Sequence, residues 1–138
     1  MRSIVVVGAN LAGGRAVEAM RQAGFDGRIT LIGEEPWRPY ERPPLSKEVL
    51  WDPANVPDNF FLHDEAWYAD NRIDMRLGGR AEALDLTAGG VRLGGDLVQA
   101  DRADGDLGAR IRAPRYGQAF VAADQVGETR CEAAEADP

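Results

Sequence analysis

Cysteine is almost missing, since Cys131 is the only one in 138 residues. No internal disulfide can form, and neither a paired-thiol redox centre nor a thiolate zinc cage is available, so a reducing cytoplasm is the expected setting. Histidine is equally scarce: His63, alone between Leu62 and Asp64, reads as a helix-start or surface residue, and no metal site can be assembled around it. Long apolar runs are lacking too. The run near the start, Ile4 to Val7, is far too short for a signal-peptide core or a membrane span, and a soluble chain is expected. Positive charge is in deficit, with 16 Lys and Arg against 23 Asp and Glu for a net charge of -7. Such a surface repels phosphate backbones and anionic membranes, which argues against nucleic-acid binding. The length supports one core and not two.

What is present begins with Ile4-Val5-Val6-Val7, a β-branched run ending at Gly8, as expected of a strand buried on both faces of a parallel sheet. Small and apolar residues then recur at helical spacing from Leu11 to Ala23, and Gly24 supplies the stop. Arg28 to Gly33 reads as a second strand, so the opening is strand, helix, strand, joined by a right-handed parallel crossover. Residues 34 to 62 carry six prolines and several aromatics, as expected of an ordered excursion rather than a flexible linker. A short amphipathic helix is expected over His63 to Asn71, with a third strand over Ile73 to Leu77. Ala81 to Leu86 alternates, and Val91-Arg92-Leu93 with Leu97-Val98 around Gly94-Gly95 reads as a small hairpin. Trp37, Trp51 and Trp67 are assigned to packing.

The chemistry sits at the first turn. Gly8-Ala9-Asn10-Leu11-Ala12-Gly13 occupies the place of the dinucleotide fingerprint Gly-x-Gly-x-x-Gly, directly after a strand and opening a helix. Gly8 permits the tight turn, the free amides of Leu11 and Ala12 can hold a pyrophosphate, and Gly13 lets helix and strand approach. Asn10 replaces the middle glycine. Asparagine tolerates positive φ better than most residues, so the loop is expected to survive with weaker binding. The acid that the fingerprint requires is Glu34, about 20 residues on, with Glu35 able to substitute. A carboxylate there accepts from the ribose hydroxyls and disfavours a 2′-phosphate, pointing to FAD or NAD. Glu41-Arg42-Pro43-Pro44-Leu45-Ser46-Lys47 favours FAD over NAD: Pro43 and Pro44 are expected to fix the backbone so that Arg42 and Lys47 are presented inward, where a cation favours an anionic reduced flavin.

The stretches Ile4 to Gly14, Gly24 to Glu35, Arg38 to Val49 and Phe60 to Asn71 together resemble the N-terminal FAD-binding region of the FAD-dependent ferredoxin reductases of the putidaredoxin reductase and biphenyl dioxygenase reductase type. The resemblance covers roughly residues 2 to 102. It implies that Ala12 touches the FAD pyrophosphate, Glu34 the ribose, Lys47 the flavin ring, and the Ala81 backbone the adenine. The fold it implies is α/β, a partial Rossmann-like FAD-binding domain with a parallel sheet and a small β hairpin. Full-length members pass a hydride from a pyridine nucleotide to FAD and single electrons to a ferredoxin.

From Ala103 the texture departs from that family, in which an apolar strand is expected. Asp101, Asp104 and Asp106 could not enter a buried strand without a large desolvation cost. Residues 1–102 are therefore read as the N-terminal part of the FAD-binding domain and 103–138 as an atypical, irregular or disordered tail, in which Phe120 to Ala123 is the one apolar patch. Out-of-frame translation from Ala103 would account for the tail, and natural divergence is the alternative. With no second fingerprint, the family's NAD site is expected to be absent, FAD binding to be weak, no catalytic residue to be assignable, and the isolated chain to be inactive. The expected function is that of an FAD-binding fragment of a flavoprotein oxidoreductase, with a second chain as a possible partner completing the fold; the alternative is a non-catalytic adenine-nucleotide-binding or remnant protein.

Overall fold

The computed structural model describes residues 3–85 and 87–100, together with the backbone of 120–123. β1 (Ser3–Val7), α1 (Leu11–Gln22) and β2 (Arg28–Gly33) form the opening strand, helix, strand. A 3-10 turn (Pro43–Ser46) and α2 (Glu48–Trp51) lie in the excursion, followed by α3 (Glu65–Asp70) and β3 (Ile73–Leu77). The antiparallel strands β4 (Ala81–Asp85), β5 (Gly90–Leu93) and β6 (Asp96–Gln99) come next, then β7 (Phe120–Ala123). The first sheet has the order β3-β2-β1-β7 and the second β4-β5-β6. β1 pairs parallel with β2, and β2 parallel with β3, so the carboxyl ends of three strands share one edge.

Alternation along β1 decides what each face meets. Ile4 and Val6 join Val17, Ile29, Leu31, Tyr68 and Ile73 in one buried cluster, which carries α1 and α3. Val5 turns the other way, with Ile32 and Val91, against the small antiparallel sheet. Burying side chains of this size contributes roughly 1.5–3 kcal/mol each, so β1 organises both halves of the core.

Helix ends follow the expected signals with small shifts. α1 stops at Gln22, with Ala23 as its cap and Gly24 at φ 84°. α3 is shorter than its pattern because Asp64 caps it, accepting from the Trp67 amide at 2.8 Å. Arg21, in the last turn of α1, donates to the carbonyls of Asn71 at 2.7 Å, Gly27 at 2.8 Å and Arg72 at 3.1 Å, and also to that of Phe25. It thereby pins the turn where Arg72 takes φ 53°, an uncommon conformation for a residue with a side chain.

The expected hairpin is present, with Val91 opposite Val98 and Gly94 and Gly95 both at positive φ. The rest of the tail lies outside the described residues, and so does the proposed change of frame at Ala103. The described part of the tail, β7, is antiparallel to β1 with Phe120 opposite Val7, a pairing that the apolar patch alone did not announce.

Candidate nucleotide site

The glycine loop leaves β1 where Gly8 takes φ 110°, and its amide donates to the Ile32 carbonyl at 2.7 Å. That bond ties the loop to the end of β2, two residues before Glu34. Gly33 is equally constrained, because a Cβ there would lie 2.5 Å from the Ala9 Cβ. Gly13 fits closest of all: a Cβ would lie 1.8 Å from the Gly8 carbonyl oxygen and 3.4 Å from Leu31 Cδ1. The role expected of each glycine, turn for Gly8 and close approach for Gly13, is thus visible in the packing.

Asn10 does not use positive φ, contrary to expectation. It sits at φ -91° and ψ -174° as the N-cap of α1, and its Oδ1 accepts from the Gly13 amide at 3.0 Å. The Gly14 amide donates to the Asn10 carbonyl at 2.9 Å. Leu11 and Ala12 open the helix, where the first amides have no carbonyl one turn back within the helix to accept them. Two donors therefore remain at the positive end of α1, the arrangement that binds anions.

Glu34 follows β2 directly and is exposed, as is Glu35. Among the described residues only Glu35 finds partners: its carboxylate accepts from Tyr40 Oη at 2.8 Å and from Arg42 Nη2 at 3.1 Å, while its carbonyl accepts the Gly78 amide at 3.1 Å. Burial pushes the Tyr40 phenol pKa up, and the bond to Glu35 adds to the shift. The two adjacent acids thus differ in what they hold: Glu35 is bound to Tyr40 and Arg42, and Glu34 is not.

The excursion closes on itself. Glu41 donates to Phe60 at 2.7 Å and Leu62 to Pro39 at 2.9 Å, with Tyr40 stacked on Phe60 at 5.1 Å. It packs on α1 through Gly14, where a Cβ would meet Leu62 at 2.6 Å and Pro39 at 2.7 Å. Beyond that base, the 3-10 turn and α2 bury no residue. Pro44 is half-buried, but Arg42 and Lys47 are exposed, so the two prolines do not turn these cations inward. Arg42 instead pairs with Glu35. Ala81 opens β4 opposite Leu93 and packs against the Val5–Ile32–Val91 cluster.

A cavity of about 440 Å³ lies beside α1, lined by Arg15, Arg38, Glu41, Phe61 and His63 among others. None of Gly8, Ala12, Glu34 and Lys47 lines it. Among the described residues, no group of three or more His, Cys, Asp or Glu is placed to hold a metal ion, and no helix is long and apolar enough to cross a membrane.

Asn10 as a cap and Arg21 as a clasp were missed in the sequence. The first had a signal, asparagine directly before a helix. The second had none, because Arg21 works through carbonyls 50 and 51 residues away.

Comparison with known proteins agrees with this geometry. The biphenyl dioxygenase system ferredoxin–NAD(+) reductase component of Paraburkholderia xenovorans (strain LB400) is 43% identical over 84 residues, covering 61% of this chain and 20% of the relative. The 3-phenylpropionate/cinnamic acid dioxygenase ferredoxin–NAD(+) reductase component of Photorhabdus laumondii is 37% identical over 128 residues, covering 92% of this chain and 30% of the relative. Among solved structures, the covalent putidaredoxin reductase–putidaredoxin complex matches with a TM-score of 0.66 and 28% identity over 73% of this chain and 24% of that one. The chain therefore spans less than a third of the length of these relatives. Residues 2–107 match the family model described as pyridine nucleotide-disulphide oxidoreductase, and the chain belongs to that family.

Proposed function

We propose that this chain supplies the FAD-binding part of an oxidoreductase that carries electrons from NAD(P)H through FAD to a ferredoxin. The observation carrying this is the convergence at one sheet edge. The Leu11 and Ala12 amides open α1 beside the Gly8 turn, and Glu34 leaves the neighbouring parallel strand at the same end. A diphosphate satisfies both amides at the positive end of the helix, and a carboxylate one strand away accepts from ribose hydroxyls. The donor set fits a dinucleotide with one subtraction, since Asn10 already occupies the Gly13 amide. Weak affinity follows from that loss.

When bound, FAD supplies the ring that accepts a hydride and returns single electrons. The residues of the chain bind and orient it: Gly8 to Gly13 hold the diphosphate, Glu34 the sugar, and the backbone at Ala81 the adenine. Arg42 and Lys47, exposed on the excursion with Pro44 between them, are the cations available to the ring, and Arg42 is shared with Glu35. The ferredoxin partner is supported by the names of the relatives. A single fingerprint supports no turnover of NADH by this chain alone. Asn10 favours the second reading, an adenine-nucleotide-binding protein without catalysis, because its cap reduces what the loop offers a diphosphate.

Flavin fluorescence titration of the wild type beside Glu34→Ala tests the proposal. Loss of a charged hydrogen bond should weaken FAD about 10-fold or more. Unchanged affinity would overturn the role of Glu34, and binding of NAD without FAD would select the second reading.

A further inference from the structure

We propose that Glu35 is the latch of the excursion and not a ligand of the nucleotide, a positioning residue whose loss moves the Arg42–Lys47 segment while leaving the ribose acid in place. Three segments meet at this one residue. Its backbone follows β2, its carboxylate holds Tyr40 and Arg42 at the start of the excursion, and its carbonyl holds Gly78 at the end of β3. Tyr40 extends the connection to the excursion's base, stacking on Phe60 at 5.1 Å and bridging to Phe61. Arg42 adds a second hold, with its guanidinium 5.8 Å from the Tyr40 ring centroid.

The latch matters because little else fixes what lies beyond it. The 3-10 turn and α2 bury nothing, and Leu45, Leu50 and Trp51 are 42%, 67% and 87% exposed. The position of Lys47 thus depends on the base of the excursion and on Glu35. Both carboxylate oxygens of Glu35 already accept, so two of its roughly four acceptor sites are committed to the excursion. Glu34, its neighbour, makes no side-chain hydrogen bond or ion pair with the described residues. One acid is left for the sugar, and the other holds the loop.

Two measurements on the full chain test this, and only the second rests on the proposed FAD site. Limited trypsin digestion at Lys47, read by mass spectrometry, needs no ligand. Glu35→Gln and Tyr40→Phe should each speed cleavage there on the order of 5-fold, a modest factor because the pair is exposed and screened. The double variant should cleave no faster than the faster single one, since both remove the same link. Unchanged cleavage in both single variants would overturn the latch.

The second measurement titrates FAD against ADP-ribose, which keeps the adenosine, diphosphate and ribose but has no flavin ring. Glu34→Gln should weaken both. Glu35→Gln should weaken FAD by about 3- to 10-fold and leave ADP-ribose within about 2-fold. If Glu35→Gln weakens ADP-ribose as much as Glu34→Gln does, Glu35 is a ribose ligand and the inference fails. If the wild type binds neither compound, the proposed FAD site fails while the digestion still decides the latch.

Discussion

Replacing Gly13 by alanine puts the packing of the first turn under direct test. The added Cβ would lie 1.8 Å from the Gly8 carbonyl oxygen and 3.0 Å from the carbon of the same carbonyl. Both partners are backbone, so no rotamer change relieves the clash. Helix and strand must separate by more than an ångström, and the move is resisted because β1 and α1 share the buried cluster of Ile4, Val6, Val17 and Leu31. Overpacking usually costs 1–3 kcal/mol, and a rigid backbone clash belongs at or above the top of that range, about 3 kcal/mol. For a domain of this size that lowers Tm by roughly 10 °C or more. Gly79→Ala is the control, because its Cβ would meet only the Leu93 side chain, at 3.0 Å, and the expected cost is below about 1 kcal/mol. Urea denaturation followed by tryptophan fluorescence measures both. Gly13→Ala no less stable than Gly79→Ala would refute the close approach of loop and helix on which the proposed diphosphate cradle depends.

Asn10→Gly should release the Gly13 amide while costing only a few tenths of a kcal/mol in capping, so FAD or ADP-ribose should bind several-fold tighter; weaker binding in a titration would count against the amide cradle. Tyr68 is fully buried, and its Oη has no hydrogen-bond partner among the described residues. Tyr68→Phe should therefore be neutral or stabilising by up to about 1 kcal/mol in urea denaturation, whereas a clear loss would reveal a partner. Burial pushes the Tyr68 phenol up to about 12, so the folded state holds its proton more tightly than the unfolded one. Stability from this source is complete below about pH 10 and is lost as pH rises toward 12; tyrosinate absorbance should show the alkaline loss in the wild type and less of it in Tyr68→Phe. Arg21→Met should cost about 2 kcal/mol by leaving four carbonyls without their donor, seen as a lower denaturation midpoint and faster hydrogen exchange around Arg72.

Local chemistry was legible in the sequence because its causes are local. A β-branched run before Gly8, helical spacing after it and a short amphipathic stretch beginning near His63 set strand, turn and helix within a few residues of one another. Glu34 could be placed by counting, since a strand-helix-strand unit has a nearly constant length. What the two neighbouring acids do was not readable. Glu34 and Glu35 are the same residue type in the same place, and they differ only because Tyr40 and Arg42 fold back onto one of them. The orientation of Arg42 and Lys47 was misread for a related reason: proline fixes its own φ, but where the next cation points depends on what the loop packs against. β7 depends on the open edge of β1, which a four-residue apolar patch cannot reveal. The sequence by itself thus determined the fingerprint and its acid, through backbone preferences that act over one turn or one strand. Only the tertiary structure decided which carboxylate Tyr40 and Arg42 engage, because that depends on how the excursion turns back on the end of β2 and not on residue type.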